Sequence, residues 1–592
     1  MIRKLLLASL LLVTGVAAAA DDPVSRLNKL YGDFWEENLK LNPITATFAG
    51  DPRYNGELPN LLAKEYEDQS RAFHQKYLAA AKAIGTAGLS GQDRLSYDVF
   101  TLNRESALEE LQFPDRLLPI DQFYNIANLF AVLGSGEGAQ PFRTVKNYDD
   151  WLSRAAKGPA IFDQAIVNMR EGVKQGIVQP RVLMEKGIPQ LDANNVDDAT
   201  KSIFWGPVTK FPADFSAADK ERLTAAFRTT ITTQLVPAYQ RLRTYIADEY
   251  LPKTRDSFGI GALPNGAAWY AHKVHDNTLR SLTPAKVHQI GLDEVARIQN
   301  GMRDVAKELG YTKPVKTLAE LKGFFAWMKN REDLYFKSRQ DLLKAYQDFD
   351  KNVAPLLPNY FNLRPKAPYE VRLVEEFREA SASSGSYQGP PLDGSRPGIF
   401  YVNAYDLKAR PVSALSALSL HEAAPGHHFQ IALQRELTGL PMFRRFSGDT
   451  AYNEGWGLYA EYLGYEMGIY KDPVQRFGAL DAELWRAIRL VTDSGIHFKG
   501  WTRQQTLDYM YENSPAEPTR AISEAERFAA IPGQALAYKI GQLKLIELRK
   551  RAEKALGKKF DVRTFHDEVL KDGAMPLEVL EAKIDRWIAA TK

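Results

Sequence analysis

Along most of the chain, apolar residues return every three or four positions. In "SRLNKLYGDFWEENLKLNP", Leu27, Leu30, Tyr31, Phe34 and Leu39 keep that spacing and the run stops at Pro43, which predicts an amphipathic helix. A longer helix is predicted over "TPAKVHQIGLDEVARIQNGMRDVAKELG". There Thr283 offers an N-cap, Pro284 suits the first helical position, Val287, Ile290, Val295, Ile298 and Met302 approximate one face, and Gly310 ends the run. Similar patterns occupy 60–84, 143–175, 217–248, 333–354, 475–497 and 533–556. Strict alternation is scarce. "YEVRLVEEF" (Tyr369–Phe377) and "PGIFYVNAYD" (Pro397–Asp406) predict strands, and the Ser/Gly/Pro-dense "SASSGSYQGPPLDGSRPG" between them predicts a loop. The expected fold class is mainly α. A coarse division puts a helical half at 21–255 and a mixed half at 256–592, with "SFGIGALPNG" as the junction.

Composition narrows the setting. The N-terminus "MIRKLLLASLLLVTGVAAAADD" joins Arg3 and Lys4 to an apolar stretch, Leu5 to Val16, and to small residues Ala18 and Ala20. That predicts a signal peptide over 1–20, with the mature chain beginning near Asp21, in the periplasm or outside the cell, with no membrane span. There is no cysteine. Thiol catalysis, thiolate metal sites and a lipid-modified N-terminal cysteine are therefore excluded, and any metal must be held by His, Asp or Glu. Lys+Arg number 76 against 73 Asp+Glu, a balance that gives no reason to expect a nucleic-acid partner. The local basic run Leu548–Phe560 is spaced like a solvated helix face.

Histidine is scarce, nine in all, yet His421, His427 and His428 fall within "HEAAPGHHFQ". The stretch opens like H-E-x-x-H, in which two imidazoles one helical turn apart hold zinc and the glutamate works on the metal-held water. Here Pro425 stands where the second histidine belongs. In a regular helix His427 would face away, and His428 would lie about 10 Å along the axis. Pro425 disrupts the helix and Gly426 relaxes it, so "PG" reads as a two-residue insertion that bulges the turn and brings His427 into place. His428 stays the alternative. A third ligand is expected in "YNEGWGLYAEYLGYE": Glu454, with Glu461 two turns further on the same face as a supporting group. Two residues are candidates for polarising a carbonyl. One is His497, which shares a helix face with Arg489 and with Asp493 as its orienting partner. The other is Tyr538, in the first turns of "IPGQALAYKIGQ".

These stretches, together with "DGSRPGIFYVN" and "HDNTLRSLTPAKVHQIGL", resemble the bacterial domain-of-unknown-function 885 family, over nearly all of the mature chain. That family is described as zinc-metallopeptidase-like and is similar in outline to the helical oligopeptidases. The resemblance implies a large helical fold with a small sheet beside the active-site helix and a deep cleft. It also implies that "PGIFYVN" is the sheet-edge strand along which a peptide lies.

The expectation is an exported zinc peptidase acting on short peptides. One Zn2+ per chain would be held by His421, His427 and Glu454, with Glu422 as general base and His497 or Tyr538 at the oxyanion. The alternative is a non-catalytic protein of the export compartment that binds peptides or metal. A zinc hydrolase acting on a non-peptide amide or ester is a third reading.

Overall fold

The computed structural model describes residues 22–592, apart from 124, 376–378, 380–381, 391–395 and 447. The signal segment 1–20 and the end of the first predicted strand at Phe377 lie outside the described residues. Among those described, helices dominate and the one named sheet is small, so the fold is mainly α. No described helix is long and apolar enough to cross a membrane.

The periodic segments form helices with the expected ends. Pro23–Leu41 is a helix that buries Leu27, Tyr31, Phe34 and Leu39. Pro284–Glu308 is capped by the Thr283 side chain, which accepts from the Lys286 N–H. Gly310 then takes a positive φ of 80°. The 143–175 run is two helices, Val145–Ala155 and Gly158–Gln175, because Gly158-Pro159 starts a new one.

Two large cores result. One is an aromatic pile around Trp151, with Phe130 at 5.1 Å and Phe204 at 6.1 Å between ring centroids. The other surrounds Trp456, Tyr459, Phe361 and Phe429. Both cores draw on residues from either side of position 255.

The sheet corrects two expectations. Its strands are β1 (Tyr369–Leu373), β2 (Gly385–Gln388) and β3 (Gly398–Val402), in the order β1-β3-β2. β3 runs parallel to β1 and antiparallel to β2, so the "PGIFYVN" strand is central and paired on both sides, not an edge. The edge roles fall to β1 and β2. β2 lies inside the Ser/Gly-rich stretch expected to be only a loop, where its composition hid it. It crosses the helix carrying His421, and a Cβ at Gly385 would stand 3.0 Å from the Leu418 side chain. Val371, Phe400, Val402 and Ala423 pack in a third, smaller core that ties the sheet to the histidine motif.

Six helices build the surroundings of that motif: α1 (Leu415–Glu422), α2 (His427–Glu436), α3 (Thr450–Glu466), α4 (Pro473–His497), α5 (Pro518–Ala530) and α6 (Ala537–Leu556). α3 and α6 touch at Gly455 and Gly541, where a Cβ on the first would meet the second's Cα at 2.5 Å. That close approach brings Glu454 and Tyr538 to the same place.

Candidate metal centre

The Pro-Gly insertion does more than bulge a turn. α1 stops at Glu422, Ala423 leaves the helical region at φ −97°, ψ −122°, and α2 begins afresh at His427. The Ala424–Pro425 bond is cis. Trp456 of α3, fully buried, donates its indole N–H to the Pro425 carbonyl at 2.8 Å and fixes the connection from below. Only glycine fits next: a Cβ at Gly426 would stand 1.9 Å from the His421 carbonyl oxygen and 2.3 Å from that of Leu420. The expectation of one distorted helix is thus replaced by two helices meeting at a tight joint. The result brings the rings of His421 and His427 together at 4.7 Å between centroids.

The atoms that could ligate a metal converge. Nε2 of His421 lies 3.5 Å, and Nε2 of His427 3.4 Å, from Oε2 of Glu454. One donor atom from each of the three residues falls within 4.8 Å of the others. A tetrahedral ion with bonds of ~2.0–2.1 Å separates its ligands by about 3.3–3.4 Å, so both histidine–glutamate distances fit such an ion. Two imidazoles and one carboxylate are also a donor set that suits zinc.

The supporting groups are as specific as the ligands. Nδ1 of His421 pairs with Oε1 of Glu461 at 2.8 Å, which leaves Nε2 pointing at the cluster. Gly457 makes room for that imidazole: a Cβ there would stand 2.7 Å from its Cε1. Burial works against charge on His421, but Glu454 and Glu461 outweigh it and push its pKa up to about 9. Burial likewise opposes charge on Glu454, yet the two histidines hold it well below the usual carboxylate range. The place is therefore arranged for positive charge. Glu422 is buried beside it, and burial raises its pKa against the pull of His427 and His421. A carboxyl raised in this way is suited to taking and returning a proton.

His428, the alternative ligand, is turned toward the sheet. Its Nδ1 pairs with the Tyr387 hydroxyl of β2 at 2.8 Å, its ring lies 4.7 Å from that of Tyr369, and burial lowers its pKa to about 4.

Tyr538 reaches the site: its ring stacks on His421 at 6.3 Å, and burial, then Glu454, raise its phenol pKa. His497 does not reach it. The Ile260 N–H donates to its Nδ1 at 3.0 Å, its Nε2 pairs with the Phe528 carbonyl at 2.9 Å, and burial lowers its pKa to about 3. With both nitrogens engaged by backbone, His497 has none to offer an oxyanion. Asp493, expected to orient it, instead accepts from the Tyr270 hydroxyl at 2.6 Å and from the Gly533 N–H. The role expected of His497 is thus corrected to a buried brace between segments. His288, left without a role, pairs with Ser494 at 2.8 Å.

Sequence reasoning missed Arg486. Its guanidinium lies 3.3 Å from Oε1 of Glu461, behind His421, and Glu461, Tyr538, Glu454 and Glu422 hold its charge on against burial. Its place three residues before Arg489 and seven before Asp493, on the face already singled out, was the available signal.

The fold and site define a mainly helical protein with a two-histidine, one-glutamate centre at a broken helix. The chain belongs to the family described as "Bacterial protein of unknown function (DUF885)", whose model matches residues 43–584. It is similar to the solved structure titled "putative lipoprotein from Colwellia psychrerythraea", with 28% identity and a TM-score of 0.87, over 96% of this chain and 100% of that one. It also shares the fold of a "putative lipoprotein of unknown function from Shewanella oneidensis", at 21% identity and a TM-score of 0.73, over 93% and 98% of the two chains. No curated protein matches the chain.

Proposed function

We propose that the chain is an exported, zinc-dependent peptidase of short peptides. The single observation that carries this reading is the convergence of His421, His427 and Glu454 beside a buried Glu422. His421, His427 and Glu454 would hold a zinc ion, which would supply Lewis acidity to the reaction.

The chain's own residues do the rest. Glu422 takes the proton of the attacking water and later gives it to the leaving amine, a role matched to its raised pKa. Tyr538 directs its hydroxyl to the developing oxyanion. Glu461, steadied by Arg486, keeps the His421 ring turned so that Nε2 faces the cluster. β2, the sheet edge that crosses α1, offers main-chain groups to an extended peptide, a role expected of β3 and moved here with the observed strand order. Export is supported by the N-terminal sequence and by the lipoprotein titles of the two similar structures. This chain has no cysteine to carry such a lipid.

Glu422→Gln tests the reading. It is expected to keep the metal and to lose peptide hydrolysis by at least ~100-fold. Full activity in that variant would remove Glu422 from the base role. Bound metal with no cleavage of any peptide by the wild type would favour the non-catalytic binding protein.

A further inference from the structure

Next to the candidate metal centre stands a group of four arginines, mostly buried except for Arg520. α4 carries Arg486 and Arg489 three residues apart on one face, and α5 supplies Arg520 and Arg527. Arg489 and Arg527 share Glu524, at 2.8 and 2.9 Å, and Arg520 lies 3.8 Å from Asp481. Arg486 is drawn toward Glu461 instead. Four guanidiniums thus face two carboxylates of their own and a third that also serves His421. Burial lowers the Arg489 pKa, and Arg527 and Arg486 lower it further against the pull of Glu524.

Two donor nitrogens in this cluster are unmatched. Nη1 of Arg489 and Nε of Arg486 are buried with no partner in the protein, and the two side chains are only 11% and 14% exposed. Glu524 takes Nε and Nη2 of Arg489, so Nη1 is its spare donor, and a charged guanidinium N–H makes a strong hydrogen bond to a carboxylate. The position of Arg489 relative to the reacting centre is also fixed. The Arg489 guanidinium carbon stands 4.5 Å from the Tyr538 ring, and that ring stacks on His421 at 6.3 Å. An extended peptide advances ~3.3–3.6 Å per residue. The two contacts in series therefore span no more than about three residues.

We propose that Arg489 receives the free C-terminal carboxylate of the peptide, so that the enzyme removes a fragment of one to three residues from the C-terminus. The anchoring rests on the arginine group; the cleavage rests on the peptidase reading above. In that cleavage the amide C–N bond breaks, the water oxygen ends in the new carboxylate of the N-terminal fragment, and the short C-terminal fragment leaves as an amine. The cation at the far end of the site sets where the chain must end. A peptide without a terminal negative charge would leave the guanidinium edge unmatched.

The test uses a mixture of N-acetylated hexapeptides prepared as free acids and as C-terminal amides, with a third set of amides ending in Asp or Glu. Products are identified by mass spectrometry. The free acids are expected to be cut within three residues of the C-terminus, with kcat/KM at least ~10-fold above the amides. In Arg489→Gln that ratio falls toward one, chiefly through KM, while bound metal stays at the wild-type level. Arg489→Lys keeps the ion pair to Glu524 but not the fork, and is expected to fall between. If the Asp/Glu amides replace the free acids, the anchor reads a side chain and the exopeptidase proposal is overturned. Amides cut as well as acids, or cuts deeper than three residues, overturn it too. Calorimetric titration of the same peptides into Glu422→Gln separates this idea from the peptidase reading. If the wild type cleaves nothing but the acids bind at least ~10-fold tighter than the amides, and Arg489→Gln abolishes the difference, the anchor stands and the peptidase reading falls. Equal or absent binding overturns the anchor.

Discussion

His421 and His497 are both buried, both near the C-terminal end of a helix, and both expected from sequence to serve the reaction. Their surroundings oppose one another. At the joint of α1 and α2, side-chain carboxylates face His421 and raise its pKa to about 9. At the end of α4, a backbone N–H and a backbone carbonyl take both nitrogens of His497, and burial drives its pKa down to about 3. Burial is common to the two. What differs is whether the partners carry charge. A histidine faced by carboxylates on both nitrogens is suited to hold a cation with them, and one saturated by neutral backbone is a brace.

The sharpest way to break this comparison is to deform the joint without altering any of the three candidate ligand side chains. Gly426→Ala drives a Cβ into two carbonyl oxygens, at 1.9 and 2.3 Å. We expect about 3 kcal/mol or more of lost stability in urea melts, and loss of metal affinity with every ligand still present. Unchanged metal binding would separate the joint from the site.

Removing the carboxylate behind His421 is the next largest effect. Glu461→Gln is expected to weaken zinc by roughly 10–100-fold, read by chelator competition. His497→Gln in the same assay should leave zinc affinity alone and instead cost about 1–3 kcal/mol of stability, because its backbone partners lose a fitted acceptor and donor. An equal loss of zinc in both variants would erase the contrast.

A smaller effect concerns pH. His497 and His566 are both held near 3 by burial, below the unfolded value of about 6.5. Each lowered base contributes stability that is complete above the unfolded value and lost as pH falls toward the folded one. The unfolded chain takes up the proton first, so stability falls with pH through that window. At pH 5 each histidine is expected to cost about 2 kcal/mol relative to pH 7.5, and His497→Gln should remove its share of the slope. A slope unchanged in that variant would mean that His497 is not held neutral.

Much of the site was legible in the sequence because its parts are short-range. His421, Glu422 and His427 lie within seven residues, and Glu454 and Glu461 keep the seven-residue spacing of one helix face. The mainly helical fold was legible for the same reason, since each long helix carries its own apolar stripe and its own stop. What stayed hidden depends on distant backbone. The partners of His497 are the N–H of Ile260 and the carbonyl of Phe528, and main-chain groups leave no mark on residue identity. The pattern of Asp493 four residues before His497 therefore pointed to a pair that a tyrosine and a loop N–H had already broken. β2 was hidden by Gly385 and Ser386, small rather than apolar residues, the first of which lets the strand pack onto a helix. Pro425 and Gly426 signalled a departure from the regular helix, but only the crowding of carbonyl oxygens shows that it is a break between two helices.

The most direct measurement is the metal content of the purified protein after exposure to zinc and gel filtration, for the wild type, His421→Ala and His497→Gln. The account predicts about one zinc per chain in the wild type and in His497→Gln, and none in His421→Ala. No zinc in the wild type, or the same zinc in His421→Ala, would contradict a metal centre at the joint of α1 and α2.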